Sequence, residues 1–148
     1  MTGAPPIETQ GRTPADSINA PPVEGNETLL RIIRHPTWLQ RDETGKPVRV
    51  SSVAFKDRTS ESRAVSVFRA QLIDSDSRPG IVGDAKEAAA VICSEARGLG
   101  HTVEPDTRDN QHVSHALIIP PTTASKPWER AAKALAETAT IVLLASGG

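Results

Sequence analysis

Three polar side chains of this 148-residue chain lie in or beside apolar segments that predict strands: His35, Ser52 and His115. A histidine titrates near ~6.5 in water, and burial beside a strand shifts that value. The three are candidate catalytic residues if they line one pocket within about 3 to 4 Å of a common point. In the alternative interpretation, His35 caps a turn with Pro36, and His115 is a hydrogen-bonded residue at a sheet edge.

Two arginines of the first predicted strand, Arg31 and Arg34, precede Ser52 of the second. ADP-ribosyltransferase-like folds hold a dinucleotide with such a pair, because a guanidinium suits bidentate phosphate contact and a serine can contact the ribose. Those folds also need a glutamate on a later strand. Only Glu104 or Glu129 could supply it, and neither is well placed. The alternative is that both arginines are solvated.

The sequence lacks the short motifs of several enzyme and metal-binding classes. It contains no phosphate loop, dinucleotide fingerprint, zinc-protease helix, nucleophile elbow or EF-hand loop. On a strand, the spacing of His112 and His115 would place their rings on opposite faces, so we predict no metal site and no cofactor. Cys93, the single cysteine, lies beside an apolar stripe and is predicted to be a small core residue.

The four aromatic residues are too few for a surface that stacks single-stranded nucleic acid; they are Trp38, Phe55, Phe68 and Trp128. Trp38 follows the first predicted strand, where it could anchor a partner protein or cover the edge of the sheet. Trp38, Arg31 and Arg34 are therefore candidate binding residues.

Composition predicts one globular domain without a strong electric field. The chain has 17 basic and 18 acidic residues and a net charge of -1, which favours neither nucleic acid nor an anionic lipid surface. The first residues do not resemble a secretory signal. The longest apolar runs, 88–93 and 141–145, are far shorter than the roughly 18 residues of a membrane helix. We expect a cytoplasmic protein with no membrane partner.

The first 25 residues differ in composition from the rest of the chain. They hold five of the 12 prolines and few large aliphatic residues. Such a stretch cannot bury enough apolar surface to offset its ordering entropy, about 1 to 2 kcal/mol per residue. We predict a disordered proline-rich tail over 1–25 and a single domain over 26–148.

Hydrophobic periodicity divides this domain into strands and two helices. A helix is predicted over 84–99, because Asp84 and Glu87 have the spacing of a capping box and small apolar residues then form one helical stripe. A second helix is predicted from Ser125, with Pro127 in its first turn. Residues 74–83 are predicted to be a turn-rich connection. The predicted strands cover residues 29–34, 48–55, 64–69, 101–104, 113–119 and 141–144.

This β-β-β-α-β-β-α-β order predicts an α+β fold. We expect a mixed sheet of about five to six strands, with both helices packed on one face.

Four stretches of the chain resemble a family of small bacterial proteins of uncharacterised function. The resemblance spans about residues 29–142, and its motifs lie at 29–36, 50–55, 65–67 and 115–118. It implies no established activity. It does imply that a shared site would be formed by His35, Ser52, Phe55, Ser66 and His115, so Phe55 and Ser66 join the candidate binding residues.

Two functional hypotheses follow. The first is a non-enzymatic interaction module that binds a protein partner, which could order the proline-rich tail, and that serves as an accessory product of a bacterial operon such as a defence or toxin–antitoxin locus. The second is an ADP-ribosyltransferase-like or phosphoryl-ribose enzyme with an arginine, serine and histidine pocket. Convergence of His35, Ser52 and His115 would favour the enzyme.

Overall fold

Short apolar segments of the chain pair into one six-stranded sheet and one separate hairpin. A computed structural model describes residues 20–56, 63–108 and 111–144. The strands are β1 (Thr28–Ile32), β2 (Leu39–Arg41), β3 (Pro47–Val50), β4 (Val65–Arg69), β5 (Glu87–Ile92), β6 (Thr102–Pro105), β7 (His115–Ile119) and β8 (Thr140–Leu143). The large sheet has the order β6-β7-β4-β1-β5-β8, and β2 pairs with β3.

The described residues also form three α-helices: α1 (Arg78–Val82), α2 (Cys93–Gly98) and α3 (Ser125–Thr138). The predicted α+β class is therefore confirmed. Every pairing between the described strands is antiparallel, so the sheet is not mixed as predicted. Among the described residues, no helix has the length and apolar character needed to cross a membrane.

The helix predicted over 84–99 is the largest correction. Residues 87–92 form β5, and helical structure begins only at Cys93. β5 lies between β1 and β8 and hydrogen-bonds to both. Its alanines are buried on both faces of the sheet. Small side chains suit a strand covered on both sides, so tertiary pairing overrides the high helix propensity of alanine.

Two other predictions need smaller corrections. The strand predicted over 48–55 ends at Val50, where Ser51 accepts a hydrogen bond from the Val53 amide and begins a 3₁₀ turn. The turn-rich connection over 74–83 contains α1. The predicted second helix is present as α3, although its N-cap is Ala124 rather than Ser125 and provides no side-chain cap.

The two faces of the sheet are covered by different elements. One face forms the main core with α2, α3 and the β2–β3 hairpin, with Leu29 and Leu135 among its buried residues. The other face packs against α1 through Ile81 and Val82. α2 and α3 lie against the same core cluster, whereas α1 lies in the other cluster, so the prediction of two helices that both pack on one face is only partly correct.

The folded region begins earlier than predicted. Val23 is buried in the main core, and the carbonyls of Pro21 and Pro22 accept hydrogen bonds from Arg69. Arg69 also forms a buried ion pair with Glu27, with 2.7 Å between Nη2 and Oε2. Residues 20–25 of the tail predicted over 1–25 therefore belong to the domain, and residues 1–19 lie outside the described residues.

Candidate functional site

The most exposed large aliphatic side chains of the described residues lie on β3 and β8, two strands that contact each other. Leu143 of β8 is 75% exposed and Val48 of β3 is 57% exposed. No hydrogen-bond ladder joins these two strands in the part of the chain that is described. We call Pro47–Val50 and Thr140–Leu143 together the β3–β8 surface.

The outer backbone groups of β8 add hydrogen-bonding capacity to this surface. The Leu144 amide donates to the Lys86 carbonyl at 2.8 Å, which continues the ladder between β8 and β5. Because hydrogen-bonded pairs alternate along an antiparallel ladder, Ile141 and Leu143 direct their amides and carbonyls away from β5. β8 carries no charged residue, proline or bulge, which are the usual features that protect an edge strand.

A groove of about 270 Å³ separates the β2–β3 hairpin from α3. We call it the serine groove, because Ser51 and Ser52 lie on its wall. Arg49 and Lys133 add two positive charges, and Glu137 adds one negative charge. Its lining residues are Gln40, Arg49, Val50, Ser51, Ser52, Lys133, Ala136 and Glu137.

A second groove, of about 240 Å³, contains His35 and Arg34 beside the start of β5. Its wall includes the ion pair between Arg41 and Glu87, whose Nη1 and Oε2 atoms are 3.3 Å apart. Acidic and basic groups are mixed in this groove, so it favours no single ligand charge. Its lining residues are Ile33, Arg34, His35, Pro36, Arg41, Asp84, Ala85, Lys86 and Glu87.

His115 belongs to a third environment, at the end of the sheet where β6 stops and β7 begins. Its Nδ1 lies 2.7 Å from Oδ2 of buried Asp106, although the contact is not aligned as a hydrogen bond. Asp106 also accepts from Arg108, whose Nε lies 2.8 Å from Oδ1. Phe68 packs edge-on against the imidazole, with 5.2 Å between ring centroids. We call Asp106, Arg108 and His115 the Asp106 cluster.

The electrostatics of the Asp106 cluster favour an ionised aspartate beside a neutral histidine. The hydrogen bond from Arg108 lowers the pKa of Asp106 to about 2, against the opposing effect of burial. Burial lowers the pKa of His115 below its ordinary value, and the attraction of Asp106 for the protonated ring opposes this only in part. A neutral imidazole is therefore the expected form near pH 7.

The spacing of His112 and His115 predicted that their rings lie on opposite faces of one strand, but His112 lies outside that strand. It precedes β7, and its Nδ1 lies 2.7 Å from Oγ of buried Ser114. The described residues contain no group of three or more histidine, cysteine or carboxylate side chains that could hold a metal ion.

Both candidate phosphate-binding arginines contact backbone carbonyls. Arg31 donates from Nε to Ala54 at 2.8 Å and from Nη1 to the carbonyl of Ser66 at 2.9 Å. Arg34 donates to the carbonyls of Ile81 and Val82 in α1. These contacts give the two guanidiniums structural roles. Arg31 links β1 to the 3₁₀ turn after β3 and to β4. Arg34 holds α1 against the sheet.

The remaining candidate binding residues are mainly structural. Trp38 is half-buried, packs against the main core and lies under the Arg31 guanidinium at 4.5 Å. Both interpretations of Trp38, as an anchor for a partner or as a cover over the edge of the sheet, stay predictions. Phe55 is buried in the main core, and Ser66 is half-buried on β4.

The structure does not bring His35, Ser52 and His115 together. His35 and Ser52 line two different grooves, and His115 contacts Asp106. The described residues therefore offer the enzyme hypothesis no assembled pocket. Sequence reasoning overlooked Asp106, Arg49, Lys133 and Leu143. An uncharged last strand was a usable signal for Leu143, whereas nothing local marks the other three.

No protein-family model, curated protein or solved structure matches this chain. The resemblance to small bacterial proteins therefore stays a prediction, and function has to be argued from the surfaces of the molecule.

Proposed function

We propose that this chain is a protein-interaction module that binds its partner through the β3–β8 surface. The observation that supports the proposal is the exposure of Leu143 and Val48 on two contacting strands. Isolated apolar side chains are common on protein surfaces, whereas a contiguous exposed patch is typical of an interaction site, and we propose that Val48 and Leu143 belong to one such patch. The partner is proposed to be a protein, because aliphatic contact and backbone hydrogen bonding are the interactions that Val48, Ile141 and Leu143 offer.

The form of binding follows from the outward backbone groups of β8. A partner segment in extended conformation would receive hydrogen bonds from the amides of Ile141 and Leu143 and would donate to their carbonyls. The exposed Leu143 side chain would then be buried against the added segment. Burial of a leucine side chain contributes about 1.5 to 3 kcal/mol, which is enough for a single substitution to alter affinity measurably.

Affinity purification with three forms of the chain tests this proposal. Leu143→Lys places a charge on the β3–β8 surface, and Leu99→Lys makes the same change at a residue that is 38% exposed beyond α2. A protein retained by the original chain and by Leu99→Lys, but lost with Leu143→Lys, is the expected partner. Val48→Lys should weaken its retention too.

Any retained protein is then purified and mixed with the chain, and amide hydrogen exchange is measured. Protection at residues 140–143 supports strand addition. Equal binding by the original chain and by both surface variants, or protection confined to other segments, would contradict the proposal. Deletion of residues 1–19, which keeps the packed residues 20–25, shows separately whether the predicted tail contributes to binding.

A further inference from the structure

We propose that the serine groove binds a small phosphate monoester, of the size of a sugar phosphate. This inference does not rest on the protein-interaction function. The two regions share Arg49 and Val50 of β3, but the groove lies between β3 and α3, and its polar side chains are not the exposed aliphatic residues of the β3–β8 surface.

The polar side chains along the groove are predominantly hydrogen-bond donors. Amide, guanidinium, hydroxyl and ammonium groups can all donate, and only the Glu137 carboxylate is restricted to accepting. The donors are Gln40, Arg49, Ser51, Ser52 and Lys133. A ligand that satisfies this set must be rich in acceptors and carry negative charge, and a phosphate group meets both requirements.

Arg49 is held in one orientation before any ligand arrives. Its Nε and Nη2 both donate to Oε1 of Gln40, at 3.0 and 2.7 Å. Among the described contacts, this leaves Nη1 without an acceptor, and the Gln40 amide nitrogen is likewise left to donate. An arginine fixed in this way loses less side-chain freedom on binding an anion than a freely rotating one.

Ser51 is oriented by a similar local contact. Its Oγ accepts a hydrogen bond from the Val53 amide at 3.3 Å, so the hydroxyl proton remains available for a ligand. Lys133 projects from α3 on the opposite wall of the groove. The anion would therefore be held between the hairpin and the helix, with cationic groups on both walls.

The volume of the groove limits the size of the ligand. Pockets for drug-sized molecules and cofactors typically have volumes of about 300 to 1,000 Å³. At about 270 Å³, the serine groove can take a phosphate with one sugar ring but not a whole dinucleotide. The ligand class is consequently a sugar phosphate rather than the dinucleotide of an ADP-ribosyltransferase-like fold.

Isothermal titration of the full chain with ribose 5-phosphate, inorganic phosphate and ribose tests this inference. We expect ribose 5-phosphate to bind most tightly, phosphate more weakly, and ribose not at all. Arg49→Gln and Lys133→Gln should each weaken binding about tenfold, as expected for loss of one charge-assisted hydrogen bond. Glu137→Gln removes the opposing charge and should strengthen binding. Lys126→Gln on the same helix is the matched control and should have no effect.

Equal affinity for ribose and ribose 5-phosphate would overturn the inference, as would unchanged binding in both Arg49→Gln and Lys133→Gln. Absence of binding by all three probes would do the same. Tighter binding of a phosphoserine peptide than of ribose 5-phosphate would assign the groove to a phosphorylated protein instead. None of these outcomes alters the test of the β3–β8 surface, because that test uses different variants and a protein partner.

Discussion

The two edge strands of the sheet, β6 and β8, differ in how well their outward backbone groups are protected from pairing with another strand. On β6, Pro105 has no amide to donate, Glu104 is exposed, and Arg97 donates to the carbonyl of Val103 at 3.0 Å. The Asp106 cluster then closes the end of the strand. On β8, no proline, charged residue or hydrogen bond from another described segment protects the outward groups of Ile141 and Leu143.

Charge and proline at an edge prevent another strand from adding to it. The contrast therefore indicates that β6 is a closed edge whose polar residues stabilise the domain, and that β8 is the edge available to a partner. Substitutions on the β6 side should change folding stability, whereas those on the β8 side should change binding.

The largest expected effect comes from Asp106→Asn. It removes the buried carboxylate that accepts hydrogen bonds from Arg108 and lies against His115, and loss of hydrogen bonds to a charged group costs about 1.5 to 3 kcal/mol. We expect the free energy of unfolding to fall by about 2 to 3 kcal/mol in urea denaturation. Glu104→Gln, at an exposed position of the same strand, should change it by less than about 0.5 kcal/mol. Similar losses in both variants would remove the distinction between the cluster and the surface of β6.

Lowering the pH should remove the stability that the same cluster contributes. The pKa of Asp106 is lowered from 3.8 to about 2 in the folded chain, so its contribution is present above pH ~4 and is lost as the pH falls towards 2. This contribution is about 2 kcal/mol. The lowered pKa of His115 has the same sign, because the unfolded chain takes up this proton more readily below pH ~6.5. Between pH 4 and 2, the original chain should therefore lose the stability that comes from the ionised Asp106, whereas Asp106→Asn has no carboxylate there to lose, and the two denaturation curves should converge.

Arg108→Gln should have a smaller effect, since the guanidinium is 69% exposed. The hydrogen bond from Arg108 is the main cause of the lowered pKa of Asp106, so that pKa should rise in the variant. A carboxyl-detected NMR titration measures it directly. An unchanged Asp106 pKa would show that the surrounding backbone, rather than Arg108, stabilises the carboxylate.

The smallest effect on folding is expected for Leu143→Lys. An exposed side chain makes few contacts in the free protein, so the free energy of unfolding should change by less than about 0.5 kcal/mol. Loss of partner binding without loss of stability would confirm the functional contrast between the two edges. A destabilisation above about 1 kcal/mol would instead give Leu143 a structural role.

Sequence analysis correctly predicted the elements whose hydrophobic periodicity fits only one type of secondary structure. α3 was identified because Trp128, Ala132 and Leu135 recur at helical spacing, and all three are buried. β1, β4 and β7 were identified because their apolar residues are β-branched or alternate with polar ones. In each case the local preference of the segment agrees with the environment that the fold provides.

β5 was mistaken for a helix because its local and global preferences conflict. Alanine favours helices, and the spacing of Asp84 and Glu87 is that of a capping box. In the fold, Glu87 instead pairs with Arg41, and the alanines fill a central strand that is covered on both faces. That arrangement depends on strands β1 and β8, which lie far away in sequence, so no local pattern could predict it.

The site residues were only partly predictable for a related reason. His115 was selected because it lies beside an apolar strand, but its partner Asp106 is reached only through the pairing of β6 with β7. Arg31 and Arg34 were assigned to a phosphate because their chemistry suits one. The carbonyls that accept hydrogen bonds from these arginines belong to distant segments of the chain. The sequence alone does not show that these segments are in contact.

The contacts of Arg69 determine how far the amino-terminal segment of the domain can be shortened without loss of buried hydrogen bonds. Its guanidinium is buried and depends on the carbonyls of Pro21 and Pro22 as well as on Glu27. Proteolytic trimming beyond Pro22 would remove the carbonyl acceptors of two Arg69 hydrogen bonds and leave its guanidinium with Glu27 alone. A protease should therefore meet resistance at this point, and a fragment shortened past it should fold poorly even though every strand and helix remains.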